Sequence, residues 1–248
     1  AGEPNAAIVG TDIGSDTGGT AGYRGIIALD SYSSITGLTI TNTYSTGTRV
    51  GKCGIRMPGH AYPYATDIVI RNCTVRAPSW GVLTNWPIVN TTIQNNRIRA
   101  ENAIWLNGYI NSIITDNDAS FGDQLVGEAT TNQCFALFDC QDQSSFGMYL
   151  ARNTFNGRLY QTSTTIPGSV YGIRCCGSGV RIDANIVTME WLNSGATMGT
   201  SGTPYGQFFG IWLGVSGTID PGYRKLVHAQ AKGNQIRIRG NANIAYPT

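Results

Sequence analysis

A short motif recurs seven times along the chain, and nothing else in the sequence restricts the fold as strongly. Its form is apolar-x-apolar, usually after a small residue. It reads Gly25-Ile-Ile-Ala-Leu29, Gly54-Ile-Arg-Met57, Gly81-Val-Leu-Thr84, Ala103-Ile-Trp-Leu106, Phe135-Ala-Leu-Phe138, Gly172-Ile-Arg-Cys175 and Gly210-Ile-Trp-Leu213. Each copy is followed by a period-2 stretch ending in an Asn-centred corner. The clearest are Thr92-Ile-Gln-Asn-Asn-Arg-Ile98, Tyr149-Leu-Ala-Arg-Asn-Thr-Phe155, Arg181-Ile-Asp-Ala-Asn-Ile-Val187 and Ala231-Lys-Gly-Asn-Gln-Ile236. Leu38-Thr-Ile-Thr-Asn42, Ile68-Val-Ile-Arg-Asn72 and Ile113-Ile-Thr-Asp-Asn117 belong to the same set. Short strands that bury no face alone must stack on their neighbours. The pattern therefore predicts an all-β parallel β-solenoid of about seven or more coils, with insertions at fixed corners.

The corner Asn has two physical uses. It tolerates left-handed backbone angles, and its amide can bond to the same amide one coil away, forming a ladder. Asn96, Asn117, Asn153, Asn185 and Asn234 are predicted to form it, with Cys73 and Thr43 standing in for Asn in the early coils.

Composition agrees. Charged residues make up only 13% of the 248, while Gly numbers 32. Amphipathic helices need abundant outward Glu, Lys and Arg, whereas coils stacked ~4.8 Å apart would repel if like charges filled a column. A net charge of +2 without a basic run argues against a nucleic-acid partner. No stretch approaches 18 apolar residues, so membrane insertion by a helix is not expected. The chain starts at Ala1 with neither Met nor a signal-peptide pattern, and is read as one domain over 1–248, a processed form or a fragment. Six cysteines without a C-x-x-C pair, and two histidines, His60 and His228, give no metal or cofactor expectation. Buried, reduced thiols are expected, with Cys53, Cys134 and Cys140 facing the core; Cys53 and Cys134 are too distant for a disulfide, whereas Cys140 and Cys175 lie on adjacent coils and could meet.

The repeat resembles the right-handed parallel β-helix families, the pectate-lyase-like enzymes and bacteriophage tailspike or tail-fibre proteins, over roughly residues 20 to 240. The resemblance implies a right-handed solenoid, an extracellular or virion-surface location, a cell-surface or extracellular polysaccharide as partner, and assembly as a homotrimer. It also implies that the first strand of each coil and the loops entering it form the substrate groove.

Alternation sorts that strand. Ile27, Leu29, Ile55, Met57, Val82, Thr84, Ile104, Leu106, Ala136, Phe138, Ile173, Cys175, Ile211 and Leu213 should face inward. The outward column then reads Ala28, Arg56, Leu83, Trp105, Leu137, Arg174 and Trp212, and the next reads Asp30, Pro58, Asn85, Asn107, Asp139, Cys176 and Gly214. Aromatic rings offer flat faces to sugars, guanidinium groups bind carboxylates, and amides bind hydroxyls. Arg56, Trp105, Asn107 and Trp212 are accordingly the expected substrate contacts. Insertions at about 119–133, 156–170 and 188–208, carrying Tyr160, Trp191 and Tyr205, could wall the groove. Lateral association would bury apolar outer residues such as Ile26, Leu83 or Leu137. Glycoside hydrolysis needs two carboxylates ~5–9.5 Å apart, for which Asp139 and Asp142 are the best pair; a lyase needs a base near the uronate, for which Arg174, one coil from Asp139, and Arg56, near His60, are the candidates. The leading expectation is a polysaccharide-recognising spike or fibre body. A depolymerase acting in the same groove and a purely structural fibre are the alternatives.

Overall fold

The computed structural model describes residues 7–10, 24–43, 52–57, 63–78, 80–84, 86–100, 102–121, 136–140, 145–161, 170–193, 208–213 and 228–240. Every strand pairing among them is parallel, in three separate sheets. The first sheet has seven strands: Arg24–Ala28, Lys52–Met57, Trp80–Thr84, Asn102–Trp105, Ala136–Asp139, Val170–Cys175 and Phe208–Leu213. Each is followed in the chain by a strand of the second sheet (Ser34–Thr36, Val69–Arg71, Thr92–Gln94, Tyr109–Thr115, Phe146–Ala151, Ser178–Asp183, Gln230–Lys232). A strand of the third sheet completes the coil (Thr39–Asn42, Thr74–Arg76, Arg97–Arg99, Asp118–Phe121, Thr154–Gln161, Ile186–Asn193, Gln235–Gly240), with Ala7–Gly10 added at its start. The chain is a parallel β-helix of seven such coils. Several predicted insertions begin later than expected, because the third-sheet strands run on to Phe121, Gln161 and Asn193 and take Tyr160 and Trp191 into the ladder.

One apolar column per strand fills the interior. In the third sheet it is Ile40, Val75, Ile98, Ala119, Phe155 and Val187; in the second, Ile70, Ile93, Ile114, Leu150 and Ile182. The small residue of the repeat has a steric cause. A Cβ on Gly54 would collide with Val75 Cγ1, on Gly81 with Ile98 Cγ2, and on Gly172 with Val187 Cγ1, all core atoms. The small residue and the apolar residue after it thus both face inward, which breaks strict alternation. The residue before the small one is turned outward. Cys53 is a correction that follows: it lies not in the main core but in an outer cluster with Trp80, Leu83 and Trp105.

The Asn ladder is present and fully satisfied. Asn96 donates from its backbone N and Nδ2 to Asn117 Oδ1 (3.0 and 3.0 Å), and Asn117 does the same to Asn153 (3.0 and 2.9 Å). Asn153 repeats this to Asn185, and Asn185 to Asn234, each at 2.9 Å. Every Nδ2 also donates to a carbonyl of the second sheet, at Ile70, Ile93, Ile114, Leu150 and Ile182. Cys73 takes the early position as expected, its N–H donating to Asn96 Oδ1. Thr43 does not. Thr74 N donates to Leu38 O, as Arg97 N donates to Cys73 O, so Leu38 occupies the ladder position in the first coil. The left-handed angles also fall one residue before the ladder, at Gly37, Asn72, Asn95, Asp116, Arg152, Ala184 and Gly233. A second left-handed row, Tyr32, Asp67, Asn90, Asn111, Gly147, Gly179 and His228, turns the chain into the second sheet, so His228 is a corner residue.

Cys53, Cys73, Cys140, Cys175 and Cys176 are buried, reduced thiols, so Cys140 and Cys175 do not form the disulfide their spacing allowed; Cys134 lies outside the described residues. Core Tyr109 donates its hydroxyl to Cys176 O at 2.6 Å and lies 3.2 Å from Cys175 Sγ. Burial pushes the Cys175 thiol up to about 12.

Candidate carbohydrate-facing surface

Strand register builds the outer face of the first sheet. Ala28 pairs with Arg56, Arg56 with Leu83, Leu83 with Trp105, Trp105 with Asp139, Asp139 with Arg174, and Arg174 with Trp212. Arg56, Trp105, Arg174 and Trp212 therefore share one column on one face. The fifth coil is two residues out of the expected register. Asp139, not Leu137, stands in this column, and Leu137 takes the small-residue position and packs in the main core. Ile26, two residues before Ala28, likewise packs against the core rather than outward.

Asp139 and Arg174 form a bidentate pair, with Arg174 Nε donating to Oδ1 and Nη2 to Oδ2, both at 2.6 Å. Their side chains are only 6% and 7% exposed. Charge and hydrogen bonds are matched at both oxygens, which is the geometry that makes burial of two charges tolerable. The Arg174 guanidinium also lies 4.5 Å from the ring centroid of Tyr171, a cation–π contact. Tyr171 in turn stacks on Phe209 at 5.1 Å and 10°, and tilts against Trp212 at 5.7 Å and 52°.

At the other end of the column Trp80 and Trp105 stack at 5.4 Å and 22° over the buried Leu83. Trp105, Phe209 and Trp212 remain half-buried, and Asn107 is exposed, its backbone N–H held by Thr84 Oγ1 at 3.0 Å. Arg56 is half-buried, with its Nε buried and without a hydrogen-bond partner. Asp142, Pro58, Asn85, His60 and Tyr205 lie outside the described residues.

The sequence reading missed Trp80, Tyr171 and Phe209. All three precede the small residue, in Trp80-Gly81, Tyr171-Gly172 and Phe209-Gly210, and the broken alternation turns them outward. An aromatic residue before glycine in three copies was the signal. The resulting surface offers two aromatic clusters separated by a neutralised ion pair, with the half-buried Arg56 beyond them. No family model, curated protein or solved structure matches the chain.

Proposed function

We propose that this chain is a polysaccharide-recognising β-helix, the body of a phage tailspike or receptor-binding virion fibre, working as a homotrimer outside the cell. What carries the reading is the shared column of Trp105 and Trp212, each half-buried on the outer face of the first sheet. They stand three coils apart, about 14 Å at strand spacing. Flat aromatic faces with one side accessible stack on sugar rings, and exposed Asn107 adds a hydroxyl-binding amide beside Trp105. The rigid solenoid beneath holds both rings at fixed separation, so a chain-like ligand meets a preorganised surface.

Recognition is favoured over cleavage by the state of the candidate acid. Both Asp139 oxygens are taken by Arg174, and the pair is buried, which suits a structural pair better than proton transfer to a polymer.

The test is direct binding to a panel of bacterial surface polysaccharides, read by tryptophan fluorescence and calorimetry. A binding glycan should lose at least about tenfold affinity with Trp105→Ala or Trp212→Ala, a loss of about 1.4 kcal/mol, without a change in fold by circular dichroism. Unchanged affinity in both variants would sink the reading. Shortening of the bound glycan by the parent protein would replace it with the depolymerase.

A further inference from the structure

The outer face of the third sheet carries a second, unassigned surface. Arg76 and Arg99 are register partners on adjacent coils, and Arg97 stands beside Arg99, two residues earlier on the same strand and in register with Thr74. Val75 and Ile98 point into the core, so all three arginines face outward. The four positions Thr74, Arg76, Arg97 and Arg99 make a grid about 4.8 Å by about 6.6 Å. Three guanidinium groups and one hydroxyl occupy it.

Among the described residues, one carboxylate meets them. Arg99 Nη2 lies 2.9 Å from Asp118 Oδ2, and Arg97 Nε lies 3.8 Å from the same oxygen. Arg76 is exposed and forms no ion pair among the described residues. Directly opposed like charges on neighbouring strands are destabilising, so this grid holds an excess of positive charge that folding alone does not favour. A tetrahedral oxyanion, with several acceptor oxygens, matches guanidinium donors held side by side in this way.

The column through Arg76 and Arg99 then continues. It reads Thr41, Arg76, Arg99, Ser120, Asn156, Thr188 and Arg237. Hydroxyl and amide groups fill the middle, and an exposed arginine closes the far end, four coils or about 19 Å from Arg99. Acidic residues are absent from this column. Neutral hydrogen-bonding groups between cationic ends fit a chain that is mostly hydroxylated and intermittently anionic.

We infer that Arg76, Arg97 and Arg99 bind a sulfate or phosphate ester carried by an extended polysaccharide lying along the third sheet. The site stands on this geometry alone; that a glycan carries the oxyanion rests on the reading given under Proposed function.

Calorimetry with a sulfated dextran oligosaccharide, its unsulfated parent, inorganic sulfate and a DNA duplex tests it. The sulfated oligosaccharide should bind more tightly than inorganic sulfate and weaken steeply with added salt. Arg76→Gln combined with Arg97→Gln should cost at least about tenfold, while Arg181→Gln, on the second sheet and already paired with Asp183 at 2.8 Å, should cost nothing. Loss in the arginine variants is read apart from loss in the Trp105 and Trp212 variants, so failure of this site and failure of the aromatic surface are distinguishable. Equal losses in the Arg181 variant, or no loss in the double variant, overturn the site. Tighter binding of DNA, or of inorganic sulfate, than of the oligosaccharide overturns the glycan as its source.

Discussion

Asp139 and Arg174 come from strands 35 residues apart in sequence, yet they are register neighbours on adjacent coils and share two hydrogen bonds of 2.6 Å. The same vertical logic recurs at the surface, where Arg152 sits one coil above Asp116, and Asp118 one coil above Arg97. Charge is scarce in this chain, and where it enters a column it is often answered by the opposite sign on the next coil.

Breaking the buried pair from one side should therefore be expensive. Asp139→Asn leaves the Arg174 guanidinium buried without its counter-charge, an expected loss of about 3–5 kcal/mol. Replacing both residues, Asp139→Leu with Arg174→Met, removes the uncompensated charge and should cost less than the single change. Urea unfolding of the two singles and the double closes the cycle. A double variant as unstable as the sum of the singles contradicts the pairing.

The ladder predicts a gradient. Asn153→Ala strands the N–H of Asn117, takes one of the two bonds of its Nδ2, and removes the Nδ2 donor shared by Ile114 O and Asn185 Oδ1, all buried. A buried group left unpaired costs about 1–3 kcal/mol, so a loss of about 3 kcal/mol or more is expected. Asn234 ends the ladder and is only partly buried, so water can replace its bonds and Asn234→Ala should cost about 1 kcal/mol. Equal losses at both sites, measured by denaturant unfolding, rule out a cooperative stack.

The fold was legible because steric and hydrogen-bonding demands repeat once per coil. Gly54, Gly81, Gly172 and Gly210 mark the tight approach to the third sheet, and the Asn series marks the ladder. Misreadings occurred where a coil departs from those marks. In the fifth coil Leu137 replaces the small residue, so Phe135-Ala-Leu-Phe138 looks in register two residues too early and hides Asp139 from the column. In the first coil Leu38 carries no amide to betray the ladder position. The outer-face pairing was only half legible: the one-coil separation of Asp139 and Arg174 could be read, but not their direct register. Hydrogen-bonding partners such as Asp139 and Arg174 are set by loop lengths between coils, which no local pattern fixes.

Ala184 holds a left-handed angle (φ 54°) on the exposed corner beside the ladder, where the first and last coils use Gly37 and Gly233. An L-residue there costs roughly 1–2 kcal/mol, and glycine gives back about 0.4–1 kcal/mol through unfolded-state entropy. Ala184→Gly should therefore stabilise by about 0.5–1 kcal/mol. Loss of stability in thermal unfolding would mean that the alanine methyl packs usefully, against this account.

Burial of Cys175, with its thiol raised to about 12, makes it unreactive at neutral pH, since the thiolate is the nucleophile. Cys53, Cys73, Cys140 and Cys176 are equally buried. An aromatic disulfide reagent should leave these five untouched in the folded protein and titrate them in denaturant. Rapid native labelling of Cys175, located by mass spectrometry, contradicts the packing around Tyr109.

The exposed pair Arg152–Asp116 gives stability a pH dependence of known sign. Arg152 Nε and Nη2 donate to the two Asp116 oxygens at 2.7 and 2.8 Å, and these bonds lower the carboxyl to about 2. The unfolded value is about 3.9, so the folded state binds the proton more weakly. Stability from this group is complete above about pH 4 and is lost as the pH falls toward about 2. The parent protein should exceed Asp116→Asn in stability near neutral pH, and the gap should close in acid. Because both side chains are substantially exposed, at 52% and 32%, the gap should also shrink in about 1 M salt. A gap that persists unchanged at about pH 2 would assign the effect to the amide's loss of a backbone contact rather than to the charge, and the vertical pairing of opposite signs would lose its clearest surface example.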